Sequence, residues 1–186
     1  VALHEEITQF REAIWMALEP VRDRLGIAPE ALIITNDAEI AMMAGLNRRH
    51  GMLAIAGTGS IVYGLTLNGE RYRIGGWGHL LGDEGSGYKI GLDTLQAVMR
   101  SFDGIDPPTL MTDRICDAYQ WEHITELRSF IYEPPIRKQD IADFAKFAIG
   151  AAESGDDAAR EIVGRNARQL ARQVLTLIGK HEWFAG

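Results

Sequence analysis

Three short stretches hold residue types that could do chemistry, and they follow one another in order. They are Asn36-Asp37-Ala38, Gly57-Thr58-Gly59-Ser60 and Gly75-Gly76-Trp77-Gly78-His79-Leu80-Leu81-Gly82-Asp83-Glu84-Gly85-Ser86-Gly87. Glycine loses more conformational freedom on ordering than any other residue. A segment as glycine-rich as the third therefore needs bare backbone for turns or for close approach to a ligand. A carboxylate just past the end of a buried strand can take the proton of a hydroxyl that attacks a phosphoryl group. A glycine turn can converge backbone N–H groups on an anion. Paired acids, an aromatic face and bare glycines suit the vicinal hydroxyls and ring of a sugar. In this order the three read as a phosphate-handling, polyol-binding site.

Each stretch has a plainer reading as well. Asp37 can cap a helix that begins at Ala38, and Asn36 shares both readings. The 57–60 segment can be an ordinary strand–strand turn with two hydroxyls. It is not a Walker A loop, because no Gly-Lys-Ser/Thr follows at the required spacing. Asp83 and Glu84 can be acids that complement the start of a helix. That account leaves Trp77 and Gly75-Gly76 unexplained, so a sugar site is the better reading there. His79 could serve as a general base, although a structural histidine is the expectation. Cys116 reads as a small core residue.

The elements that must position these residues follow from periodicity. Leu3, Ile7, Phe10, Ile14, Leu18, Val21 and Leu25 recur at helical spacing, with Pro20 kinking the helix and Gly26 ending it. Residues 31–35 form a short apolar run, as in a strand buried on both faces. A helix is expected over 38–46, closed by Asn47. Residues 52–56 read as a second buried strand, 61–67 as a third, and 70–74 as its antiparallel return. Asn68-Gly69 between the last two is the strongest short-range hairpin signal. Beyond the glycine-rich segment the pattern is helical. Helices are expected over 88–100, from Pro107-Pro108 to about Tyr119, over 123–131 and over 139–152. The longest is capped by Asp156-Asp157, with Val163, Leu170, Val174, Leu175 and Ile178 facing a core.

The composition is that of a globular protein, with 46% hydrophobic and 24% charged residues among 186. A net charge of −7 argues against sequence-independent nucleic-acid binding. A single cysteine excludes an internal disulfide framework and a multi-cysteine metal site, and a reducing cytoplasm is the expected compartment. No apolar run reaches the length of a membrane span. A boundary is expected in the polar stretch 47–51.

On these motifs the sequence resembles the N-acetylglucosamine kinase and BadF/BadG/BcrA/BcrD ATPase family of the actin-like, sugar-kinase superfamily. The resemblance implies an α/β, ribonuclease-H-like fold. Residues 1–50 would be the C-terminal part of a first copy. Residues 51–186 would be a second copy with a helical C-terminal half. Asp37 would be the catalytic base. Gly57, Thr58, Gly59 and Ser60 would contact ATP, used with Mg²⁺, and no metal-ligating residue of the protein itself is expected. Asn36, Trp77, Gly78, Asp83 and Glu84 would bind the amino sugar. Neither a membrane nor a nucleic acid is an expected partner, and a homodimer is left open. The family's first phosphate loop and its adenosine loop are not found, so the chain is expected to be the catalytically incomplete middle of a longer kinase. Two other functions stay open within the resemblance. One is an ATPase that activates a radical dehydratase or reductase through an iron–sulfur cluster, which the lone cysteine disfavours. The other is a non-catalytic sugar-binding regulator.

Overall fold

A computed structural model describes residues 37–47, 50–133 and 135–185, together with Ile14, Met16 and Arg24. The helix expected from Leu3 to Leu25, the strand expected over 31–35, and Asn36 lie outside these residues, the three single positions apart. The chain divides into two compact units, residues 1–49 and 50–186. In the first, helix α1 runs Asp37–Leu46, beginning one residue before the expected start. It closes at Asn47, whose φ of 49° is the left-handed conformation that asparagine tolerates at a helix end.

The second unit opens with an antiparallel meander of β1 (Gly51–Ala56), β2 (Ser60–Leu65) and β3 (Arg71–Gly75). Its register sets Ala56 opposite Ser60 and Leu65 opposite Arg71, so the 57–60 turn and the Asn68-Gly69 hairpin sit at opposite ends of β2. The hairpin is looser than an Asn-Gly two-residue turn. Gly69 N–H donates to Thr66 O at 3.1 Å and Thr66 N–H donates to Glu70 O at 3.0 Å. Only Gly69, at φ 84°, takes the left-handed conformation, and a three-residue loop closed by a glycine bulge results. The expectation that 52–56 is fully buried is corrected: Ala54 and Ala56 are exposed, because β1 is an edge strand among the described residues. Burial falls instead on central β2, at Val62, Tyr63 and Leu65.

Six helices follow: α2 (Gly87–Phe102), α3 (Leu110–Tyr119), α4 (Glu126–Tyr132), α5 (Lys138–Ala142), α6 (Ala145–Glu153) and α7 (Asp157–Ile178). Side-chain caps begin three of them: Ser86 accepts from Lys89 N, Thr109 from Met111 N, and Asp156 from Ala159 N. The single helix expected over 139–152 is two. The chain tightens at Asp143 and Phe144, where Phe144 N–H and Phe147 N–H reach back three residues rather than four. That bend seats Phe144, fully buried, flat against Tyr119 with centroids 5.2 Å apart. Around this pair Leu95, Val98, Met111, Ile115, Phe147 and Ile162 form the helical core, with Cys116 packed half-buried against it.

Helix α7 joins this core to the sheet. Ala159 and Ile162 are buried near its start, and Leu177 is buried near its end, under β2. A Cβ on Gly64 of β2 would lie 2.7 Å from Phe184 and 3.0 Å from Leu177, so only glycine admits this approach. The expected inward face of α7 is partly wrong, since Leu175 is 66% exposed. Asn166 takes a fully buried position instead, which its polar partners explain below. Among the described residues no helix is long and apolar enough to cross a membrane.

Candidate active site

The 57–60 turn and the start of α2 are tied together by backbone. Gly87 N–H donates to Gly57 O at 2.7 Å, and Tyr88 N–H donates to Thr58 O at 3.3 Å. Ser60 Oγ donates to Glu84 O at 2.8 Å. The Thr58 hydroxyl bonds the Gln139 side-chain carbonyl. A Cβ on Gly87 would lie 3.2 Å from Gly57 O, so the glycine lets this splice close. Gly57 itself is exposed and a Cβ there would meet nothing within 4 Å, so no packing among the described residues accounts for a glycine at that position.

Asp83 sits where this splice is tightest. It is 4% exposed, and its φ of 111° is a conformation that side-chain-bearing residues rarely adopt. Strain of this kind persists only where the surroundings over-determine it, and it concentrates at functional sites. Oδ2 lies 2.5 Å from Lys138 Nζ, and Oδ1 accepts a long 3.4 Å bond from Ser60 N–H. Glu84 beside it accepts from Gln173 Nε2 at 3.1 Å. Trp77 is 64% exposed, with the Arg73 guanidinium 4.3 Å from its ring centroid. The tight turn 78–82 folds Trp77 back, so that a Cβ on Gly82 would be 3.5 Å from Glu84 Oε2 and 3.6 Å from Trp77 Cβ. His79 stacks edge-on against Tyr88 at 5.0 Å.

A buried polar relay holds this loop to the helices. Asn166 of α7 accepts from Gly85 N–H at 3.3 Å and donates to Asp93 Oδ2 of α2 at 2.9 Å. Lys89 at 2.6 Å and Arg165 at 3.0 Å complete the shell of Asp93. Burial alone would raise the Asp93 carboxyl, but the hydrogen bonds from Lys89, Asn166 and Arg165 outweigh it and hold it below the usual carboxylate range. Gly85 belongs to the same joint, because at φ 82° a Cβ would lie 2.7 Å from Leu170.

The structure therefore brings Gly57, Thr58, Gly59 and Ser60 against Asp83 and Glu84, with Trp77 and Gly78 on the same loop. Asp37 belongs to the other compact unit, where its backbone is described, and Asn36 lies outside the described residues. Lys138, Gln139, Asn166 and Gln173 also belong to this neighbourhood, and the sequence reading did not select them. Nothing local marks them. Their roles arise from contacts with residues 81 positions earlier for Gln139 and Asn166, 89 for Gln173 and 55 for Lys138.

The sequence profile of the BadF/BadG/BcrA/BcrD ATPase family matches residues 5–182. The chain belongs to this family. An N-acetylmuramic acid/N-acetylglucosamine kinase of Clostridium acetobutylicum is 37% identical over 147 residues, covering 79% of this chain and 48% of the relative. An N-acetyl-D-glucosamine kinase of Dictyostelium discoideum is 35% identical over 149 residues, covering 79% and 47%. The chain thus spans about half the length of the curated relatives it matches. A solved Chromobacterium violaceum structure, assigned by name as an N-acetylglucosamine kinase, superposes with a TM-score of 0.69 at 21% identity. That match covers 78% of this chain and 50% of the other. The fold is α/β, of the actin-like ATPase kind expected of the family.

Proposed function

We propose that the protein carrying this chain transfers the γ-phosphoryl group of ATP to a hydroxyl of an amino sugar such as N-acetylglucosamine or glucosamine. The observation that carries this reading is the splice between the 57–60 turn and the Asp83-Glu84 loop. A turn suited to phosphate and a loop suited to a sugar are hydrogen-bonded to each other there. The named kinases among the relatives support the same chemistry.

In this reading Gly57, Thr58, Gly59 and Ser60 receive the phosphates, while Trp77, Gly78, Asp83, Glu84 and Asn36 hold the sugar. The attacking hydroxyl oxygen forms the new bond to phosphorus as the bond to the ADP oxygen breaks. ADP leaves with that electron pair, and the hydroxyl proton passes to the Asp37 carboxylate. Mg²⁺ would arrive with the nucleotide, held largely by phosphates and water. This mode needs no cluster of three acids, and none occurs among the described residues. Residues 1–50 are the end of a first ribonuclease-H-like copy in this account, and 51–186 most of a second, in a cytoplasmic enzyme. The activator alternative is not favoured, because the single cysteine is packed on α3 against the helical core.

Coupled ADP release with Mg²⁺ and a panel of N-acetylglucosamine, glucosamine, N-acetylmuramic acid and glucose tests the proposal. Turnover with at least one amino sugar well above that with glucose is expected. ATP hydrolysis indifferent to every sugar would favour the activator instead.

A further inference from the structure

Lys138 opens α5, a helix too short and too far along the chain to be linked with the glycine motifs by sequence. In space it stands inside them. Its Nζ is 2.5 Å from Asp83 Oδ2 and 3.1 Å from the place a Cβ on Gly59 would occupy. The Tyr88 ring lies 5.9 Å away. Any side chain at position 59 would crowd this ammonium, which gives the second glycine of the turn a physical reason. The Lys138 side chain is 33% exposed while that of Asp83 is 5% exposed, so the pair buries the carboxylate and leaves the lysine partly open.

The electrostatics give the open side a use. Asp83 puts a carboxylate beside a turn that, in the reading above, must accept polyphosphate. Like charges at this range oppose binding unless a cation stands between them. An ammonium has three donors, and Asp83 uses one of them. Lysine serves phosphate well as a compact point charge on a flexible stem. Gln139, next in sequence, bonds the Thr58 hydroxyl, so the start of α5 is clasped to the turn at two successive residues.

We propose that Lys138 binds the terminal phosphate of the nucleotide at the 57–60 turn, oriented there by Asp83. Asp83 then bears on the phosphate side of the reaction through the cation that its buried carboxylate orients. The assignment rests on the kinase reading, yet its readout is ATP affinity rather than sugar turnover.

Calorimetry with ATP and Mg²⁺ on the protein carrying this chain compares wild type with Lys138→Met, Lys138→Arg and the charge-neutral double variant Asp83→Asn/Lys138→Met. The double variant leaves no unpaired buried carboxylate, so it keeps the test sound if the single variant unfolds. The ATP Kd is expected to rise tenfold or more in both methionine variants and to stay within threefold in Lys138→Arg. On the unmutated protein, the side-chain NMR signal of Lys138 is expected to shift on ATP addition. An ATP Kd within twofold of wild type in the double variant, or an unmoved Lys138 signal at saturating ATP, overturns the assignment. If the variants lose ATP while wild type turns over no sugar, Lys138 stands and the kinase reading falls. Normal wild-type turnover with unchanged ATP affinity in the variants sinks Lys138 alone.

Discussion

Replacing Asp37 by Asn in the protein carrying this chain is expected to lower kcat about 10²-fold or more while leaving the sugar KM nearly unchanged. The substitution keeps the size of the side chain and its capacity to cap a helix, and removes the basic oxygen. A general base typically contributes about 10²–10⁴-fold, which sets the expected size. The reading of Asp37 as a helix cap predicts something different. The structure makes Asp37 the first residue of α1 and not the residue before it, so a helix-start role for its carboxylate, if lost, would lower stability and spare the rate. Steady-state kinetics beside a thermal melt separates the two. Normal kcat with a lowered melting temperature would give Asp37 to the helix.

Gly91→Ala is expected to destabilise the second unit more than an ordinary core substitution. Gly91 is buried on α2, and a Cβ there would lie 2.0 Å from Ile141 O and 3.0 Å from Ile141 C, both backbone atoms of α5. No rotamer relieves such a contact, so the helices must separate. Overpacking of this kind costs about 3 kcal/mol or more at its severe end. The helix propensity gained on replacing Gly by Ala, about 1 kcal/mol, offsets only part of it. A net loss of about 2 kcal/mol or more should appear as a lower urea midpoint. Because α5 also carries Lys138, the variant should weaken ATP binding even where it stays folded. An unchanged midpoint would mean that the α2–α5 crossing opens to admit a methyl group at no cost.

The same crossing shows where the sequence stops being informative. The meander and most helices were legible because their signals are local: helical spacing, short apolar runs, a turn glycine, and the capping Asp156 of α7. The split between α5 and α6 was not, since both halves carry one apolar stripe through Ile141, Phe144, Ala145 and Ala148. The break comes from the seating of Phe144 on Tyr119 in α3. Leu175 misled for a related reason. The face of α7 is set by two different partners, helices at one end and a sheet at the other, and no single stripe satisfies both. At the site, the 75–87 composition drew attention to Asp83 and Glu84, and several of its glycines serve left-handed turns and close packing within the chain, as at Gly76, Gly78 and Gly85. Lys138 stayed hidden, since a lysine after two prolines reads as surface until the chain brings it to Asp83.

The most direct measurement of the central claim is a titration of N-acetylglucosamine into the protein carrying this chain, followed by NMR at the Trp77 indole and the backbone amides of Gly78, Asp83, Glu84 and Gly85. Trp77→Phe identifies the indole signal among four tryptophans. Saturable shifts confined to this loop and the adjoining 57–60 turn, weaker or absent with glucose, are predicted. A folded protein whose loop signals stay fixed at saturating amino sugar would contradict the assignment of the glycine-rich segment as a sugar site.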